Sequence, residues 1–163
     1  MPTQKLLGAL AAVALLAACG SDSSTDQAAT GAGGAGGLGG SGQARPGSQE
    51  DLVANIGDRV FFETDRATLR ADQRPVLERQ ARWMQQYPQV QVSLEGHADE
   101  RGTREYNLAL GQRRANAARD VLVASGVSGS RISTISYGKD RPTALGSSED
   151  AWAQNRRAVT VVR

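Results

Sequence analysis

The stretch Gly96-His97-Ala98-Asp99-Glu100-Arg101-Gly102-Thr103-Arg104-Glu105-Tyr106-Asn107-Leu108-Ala109-Leu110-Gly111-Gln112-Arg113-Arg114-Ala115 decides how the chain folds. Just before it, Val90-Gln91-Val92-Ser93-Leu94-Glu95 alternates apolar and polar side chains, the period of a half-buried strand. After it, helix-forming residues run from Arg104 to about Ala124 without a proline, and Gly126 is placed to end the run. The stretch is thus a strand-to-helix junction, with a polar loop from Gly96 to Thr103 between the two elements.

Further out the pattern repeats. Asp72 offers an N-cap, Pro75 falls in a first turn, and Leu77, Ala81 and Met84 recur at helical spacing beside Val76, Trp83 and Tyr87 until Pro88 ends the helix. Leu52–Ile56 and Arg59–Phe62 are short apolar runs around Gly57-Asp58, which reads as a hairpin or one bent strand. Ile132–Tyr137 and Ala158–Val162 read as further strands. The order strand, helix, strand, helix, strand, strand predicts an α+β fold. It is a two-layer sandwich, with two main helices packed on a mixed, roughly four-stranded sheet.

That domain occupies residues 49–163, close to the commonest domain size. The rest is different in kind. Lys5 precedes an apolar run, Leu6–Ala18, that falls short of the ~20 residues a bilayer core requires. Residues 1–18 therefore read as a signal peptide. The run ends Leu16-Ala17-Ala18-Cys19, at the single cysteine of the chain, so no internal disulfide is possible. These four residues resemble the bacterial lipobox, which implies cleavage before Cys19, an S-diacylglycerol on its thiol and an N-acyl group on its amine. Three acyl chains at about 0.8 kcal/mol per buried CH₂ hold almost permanently. Gly20, where an aspartate retains many lipoproteins at the inner membrane, favours the outer membrane.

Residues 20–48 are rich in Gly, Ser, Ala and Thr and cannot bury enough surface to offset their ordering entropy. They contain a literal G-x-G-x-x-G at Gly31, Gly33 and Gly36, but no strand precedes it and no helix follows, so it is not a dinucleotide motif. About thirty flexible residues span roughly 30 Å on average and on the order of 100 Å at full stretch. Residues 19–48 thus make a lipidated tether.

Charge excludes other classes. A net charge of +2, with both signs interspersed, is not the basic stripe of a nucleic-acid binder. His97 is the only histidine, and with Asp99 and Glu100 in one loop it lacks convergent metal-ligand spacing. It also stands beside Asp99 as a catalytic dyad would, which makes a cell-wall enzyme the competing class.

One anomaly points to a site. Leu110, Ala117 and Val121 define an apolar stripe on the long helix, and Arg114 falls inside it. A buried guanidinium without a partner is expensive. Asp99, in the loop just before that helix, is its candidate partner. The residues alone leave two readings open, a structural Asp99–Arg114 ion pair or a pocket for a charged ligand.

The quoted junction, Val60-Phe61-Phe62 with Asp65, Tyr137-Gly138 with Pro142, and Asn155-Arg156-Arg157-Ala158-Val159 together resemble OmpA-like peptidoglycan-binding domains over essentially the whole of 49–163. With the lipobox and tether, the resemblance is to the lipoprotein branch of that family, which works in the Tol–Pal system. It implies a non-enzymatic protein without cofactors apart from its covalent lipid. It also implies a ligand, the diaminopimelate-bearing stem peptide of peptidoglycan, whose ammonium goes to Asp99 and whose carboxylate goes to Arg114. Phe62, Thr64, Asp65, Asn107 and Leu110 complete the implied pocket, with Thr64 standing where a larger apolar residue is common. TolB, with TolA as a further candidate, is the implied protein partner, and the outer membrane, with the domain facing the periplasm, is the implied location. An OmpA-like lipoprotein outside the Tol–Pal system is the nearest alternative. Asn155-Arg156-Arg157 reads as a structural motif before the last strand rather than a basic partner patch. His97 is not a general base in this family, whose members carry other residues there.

Overall fold

In this computed structural model, residues 44–163 are described. The signal peptide 1–18, Cys19 and the tether as far as residue 43 lie outside the described residues. Arg45–Ser48, assigned above to the tether, make a turn in which the Ser48 N–H donates to the Arg45 carbonyl.

Among the described residues, four strands and four helices alternate. Helix α1 (Gln49–Asp51) continues as a π-helical turn, Leu52–Ile56, and leads to β1 (Arg59–Phe61). Then follow α2 (Arg74–Gln86), β2 (Val92–His97), α3 (Arg104–Ala124), a 3₁₀ turn (Gly129–Arg131), β3 (Ile132–Gly138), α4 (Glu149–Asn155) and β4 (Arg157–Val162). The sheet order is β1-β4-β2-β3. β4 is antiparallel to β1 and β2, while β2 and β3 are parallel and joined through α3. The expected two-layer sandwich on a mixed four-stranded sheet is therefore present.

Val92 and Leu94 turn inward to meet the helices, while Ser93 and Glu95 face out half-buried. Leu77, Ala81 and Met84 of α2, Ala115, Ala118 and Leu122 of α3, and Leu52, Val60 and Phe62 close the core around them. Trp83 joins from α2, its indole N–H donating to Asp51 at 2.8 Å.

Three local expectations need correction. Leu52–Ile56 is helical, not extended. A five-residue apolar run has no decisive period, and the Ser48 hydroxyl, accepting from the Asp51 N–H at 3.3 Å, starts a helix that Gly57 ends at φ 94°. Asp72 does not cap α2. Its carboxylate is taken by Arg70 at 2.9 Å, and the helix starts at Arg74-Pro75 without a side-chain cap. The face of α3 turned to the sheet runs through Asn107, Leu110, Gly111, Arg114, Ala115, Ala118 and Leu122, with Ala117 and Val121 at its half-buried edge. Small residues let α3 come close to the sheet, and that shifts the stripe. Helix α4 is additional. At seven residues it is too short for a periodic signal, and the Ser148 hydroxyl caps it by accepting from Ala151.

The closeness of α3 to β2 is fixed by two glycines. A Cβ at Gly96 would run into the Gly111 carbonyl, and one at Gly111 would strike the Ser136 hydroxyl. At Gly96 backbone stands against backbone, so there is no flexible side chain to yield. Gly96→Ala is expected to lower the unfolding free energy by at least about 2 kcal/mol, read from urea denaturation. A loss below half that figure would mean the two elements separate easily.

Candidate functional site

Strand β2 ends at His97, and two residues later Asp99 enters the loop that leads into α3. The loop is held in shape by its own polar groups. The Asp99 Oδ1 accepts from the Arg101 backbone N–H at 3.1 Å, the Arg101 carbonyl accepts from the buried Asn107 Nδ2 at 2.8 Å, and Thr103 caps α3 through Tyr106 at 3.2 Å. This brings Asp99 over the first turns of α3 with only 7% of its surface exposed.

Arg114 projects from the next turns of the same helix and is fully buried, at 0% exposure. Its guanidinium does not touch a carboxylate. It donates to three carbonyl oxygens: Nε to Arg66 at 2.9 Å, Nη1 to His97 at 2.8 Å and Nη2 to Glu63 at 3.0 Å. It also lies over the Phe62 ring, 5.3 Å from the centroid. Burial pushes its pKa down to about 10, with the nearby Asp99 charge opposing the fall, so it stays protonated at neutral pH. Five N–H bonds less three leaves two for any further acceptor.

The ion pair considered between Asp99 and Arg114 is not formed. Asp99 is instead paired by Arg101, whose Nη2 reaches Oδ2 at 2.6 Å, and by Arg156 at 3.5 Å. Burial raises the Asp99 carboxyl, but the Arg101 hydrogen bonds and charge, aided by Arg156, outweigh it and hold the pKa below the ordinary aspartate value. Asp99 is therefore an anion at physiological pH.

The remaining expected residues fall around this pair in different ways. Phe62 is buried under Arg114. Thr64 is exposed, and its hydroxyl accepts from Arg101 Nη2 at 3.3 Å. Asp65 is exposed in the left-handed region at φ 52°, a conformation that aspartate tolerates better than most residues. Asn107 is buried and spent on the Arg101 carbonyl, and Leu110 is buried one turn before Arg114. His97 and Asp99 are not hydrogen-bonded to each other. Among the described residues, no group of His, Cys, Asp and Glu is placed to hold a metal ion.

Sequence reasoning missed three contributors. Arg156, buried at the α4–β4 junction, donates to the Phe62 carbonyl at 3.2 Å and to Glu149 at 2.6 Å as well as facing Asp99. Trp152 offers its ring to Arg101, 4.2 Å from centroid to guanidinium carbon. Arg101 is in the quoted loop, but nothing in its spacing marks it off from an ordinary surface arginine. Arg156 lies 57 residues from Asp99 in sequence, so only the fold brings them together. A cleft of about 260 Å³ opens beside Phe62 and Arg156, lined also by Phe61, Glu63, Gln73 and Gln154. The larger hollow, about 620 Å³ beside Trp83, shares no residue with this site.

His97 lies at the strand end, 2% exposed, with neither ring nitrogen completing a hydrogen bond. Burial, then the Arg157 and Arg141 charges, push its pKa down to about 4 from an ordinary 6.5. A base with a depressed folded pKa stabilises the fold fully above its unfolded value and loses that contribution as it charges. Between pH 6.5 and about 4, the unfolding free energy of the wild type should therefore fall faster than that of His97→Gln. Superimposable pH profiles of urea unfolding would show that His97 titrates normally.

The OmpA family model matches residues 61–156. A Rhizobium meliloti (strain 1021) protein named peptidoglycan-associated lipoprotein is 59% identical over 121 residues, 74% of this chain and 69% of that one. One of the same name from Pseudomonas aeruginosa is 47% identical over 112 residues, 68% of this chain and 66% of that one. The crystal structure of the peptidoglycan-associated lipoprotein from Burkholderia pseudomallei superposes with a TM-score of 0.65 at 38% identity, covering 69% of this chain and all of that one. The cell wall anchor of the T6SS from Pseudomonas aeruginosa superposes at 0.58 with 26% identity, covering 72% and 98%.

Proposed function

The chain belongs to the OmpA family, and on that premise we propose that it binds peptidoglycan non-covalently and tethers the outer membrane to the cell wall. The observation that carries the reading is Asp99: a nearly buried, ionised carboxylate at a strand end, beside a helix whose buried Arg114 supplies the opposite charge. A ligand with one ammonium and one carboxylate at its tip matches that pair. The diaminopimelate of a stem peptide is such a tip, whereas neutral glycan is not.

The ammonium goes to Asp99. The carboxylate is drawn by Arg114, which keeps two N–H bonds beyond those spent on carbonyls. Phe62, Thr64, Asp65, Asn107 and Leu110 shape the surroundings. Binding of this kind makes and breaks no covalent bond, so no catalysis is involved. Cys19, acylated on its thiol and its amine, fixes the other end of the tether in the outer membrane, with the domain in the periplasm.

The names of the relatives support the wall-binding part of this reading. Work within the Tol–Pal system, with TolB and TolA as partners during envelope constriction at division, extends it by resemblance. The likeness to a type VI cell wall anchor is a reason to keep the two parts separate, because one fold is found in different assemblies.

Co-sedimentation with purified sacculi tests the reading. Asp99→Ala, checked for folding by circular dichroism, should bind at least about tenfold more weakly, since a desolvated charge pair is worth roughly 2–5 kcal/mol. Wild-type retention by the variant would remove Asp99 from the site. In the same cells labelled palmitate should mark the wild type and not Cys19→Ala; equal labelling of both would refute the anchor.

A further inference from the structure

Asp99 is surrounded by three guanidinium groups, and only one of them is free to leave. Arg114 is fully buried and bound to three carbonyls. Arg156 is buried and committed to the Phe62 carbonyl and to Glu149. Arg101 is different. Its side chain is 39% exposed, yet it makes the shortest contact to Asp99, at 2.6 Å, with a second bond from Nε at 3.2 Å. Its other partners are weak: the Thr64 hydroxyl at 3.3 Å and the face of Trp152 at 4.2 Å.

The backbone of Arg101 cannot follow its side chain. Its N–H is bonded to Asp99 and its carbonyl to Asn107. The next residue, Gly102, sits at φ 90°, where a side chain would be strained. Movement is therefore confined to the rotatable stem of one long side chain, which needs no loop rearrangement.

A carboxylate as buried as Asp99 is costly to leave without a cation. Arg156 comes no nearer than 3.5 Å, so the close cation that Asp99 requires, with or without a ligand, has to come from elsewhere. Resting on the reading of Asp99 as the ammonium receptor, we propose that Arg101 occupies the ammonium position in the empty site and determines ligand specificity by having to be displaced. Binding is then an exchange of cations. The incoming ammonium takes Asp99, and the released guanidinium needs a new anion. A ligand tip that carries a carboxylate next to its ammonium supplies one: the two oxygens of that carboxylate can be shared between Arg114 and the released Arg101. A tip with an ammonium alone evicts Arg101 and leaves it with water. The site thereby selects a zwitterionic tip such as diaminopimelate over a simple amine such as lysine, without any group that repels lysine directly.

Calorimetric titration of the intact protein with two synthetic stem peptides, one carrying meso-diaminopimelate and one carrying lysine at the same position, tests this. The wild type should prefer the diaminopimelate stem. In Arg101→Ala the preference should shrink about tenfold or more, the worth of one charge-assisted hydrogen bond. The lysine stem should bind that variant at least as tightly as it binds the wild type, because nothing has to be displaced. Arg101→Gln, which keeps some of the polar contacts without the charge, should behave in the same direction. An unchanged preference in both folded variants would overturn the exchange. So would a lysine stem that binds them more weakly than it binds the wild type, because Arg101 would then assist the amine. Failure of the wild type to bind either stem would instead overturn the peptidoglycan reading on which the exchange rests.

Discussion

A single buried guanidinium holds the functional end of this domain together. Arg114 joins α3 to the end of β2 through the His97 carbonyl, and to the segment after β1 through Glu63 and Arg66. Those carbonyls belong to a turn and a strand end, where backbone acceptors have no ladder partner. An apolar residue at position 114 would strip the guanidinium from the His97 and Arg66 carbonyls and leave the Glu63 carbonyl with only the Arg66 N–H, at 3.2 Å, at roughly 1–3 kcal/mol for each acceptor left unpaired away from water. Desolvation of the guanidinium is the opposing cost. It is offset by three hydrogen bonds, the Phe62 ring and the neighbouring charge of Asp99.

The rest of the site follows from that constraint. With the 63–66 segment and the β2 end fixed against α3, Thr64 comes within reach of Arg101, and the Phe62 carbonyl within reach of Arg156. Arg156 then links Asp99 to Glu149 of α4. Arg101, Asp99, Arg156 and Glu149 thus alternate in sign along one line of contacts, so neither Asp99 nor Arg156 is buried alone. The close glycine contact between Gly96 and Gly111 sets the depth at which all of this happens, because it decides how near α3 lies to β2.

Much of this was legible in the sequence, and what was not has physical causes. The alternation through Val92 and Leu94 and the uninterrupted run from Arg104 to Ala124 mark β2 and α3 because both have long, clean periods. Leu52–Ile56 has too few residues to show a period, so its helical state depends on the Ser48 cap, which acts from outside the run. Arg114 betrayed itself as a charge in an apolar stripe, but its partners did not, because carbonyl oxygens have no residue signature. Arg156 and Trp152 meet the site only through the fold, and Arg101 looks like a surface residue until its contact with Asp99 is seen.

Replacing Arg114 with methionine keeps most of the side-chain length and removes every donor. The urea-induced unfolding free energy of Arg114→Met, set beside that of the wild type, therefore tests most directly whether this residue organises the site. A loss of about 2 kcal/mol or more is expected, because the His97 and Arg66 carbonyls lose the guanidinium while the Glu63 carbonyl keeps the Arg66 N–H. A variant within about 1 kcal/mol of the wild type would contradict the account, since a methionine would then fill the same place and the loop would hold its shape without the guanidinium.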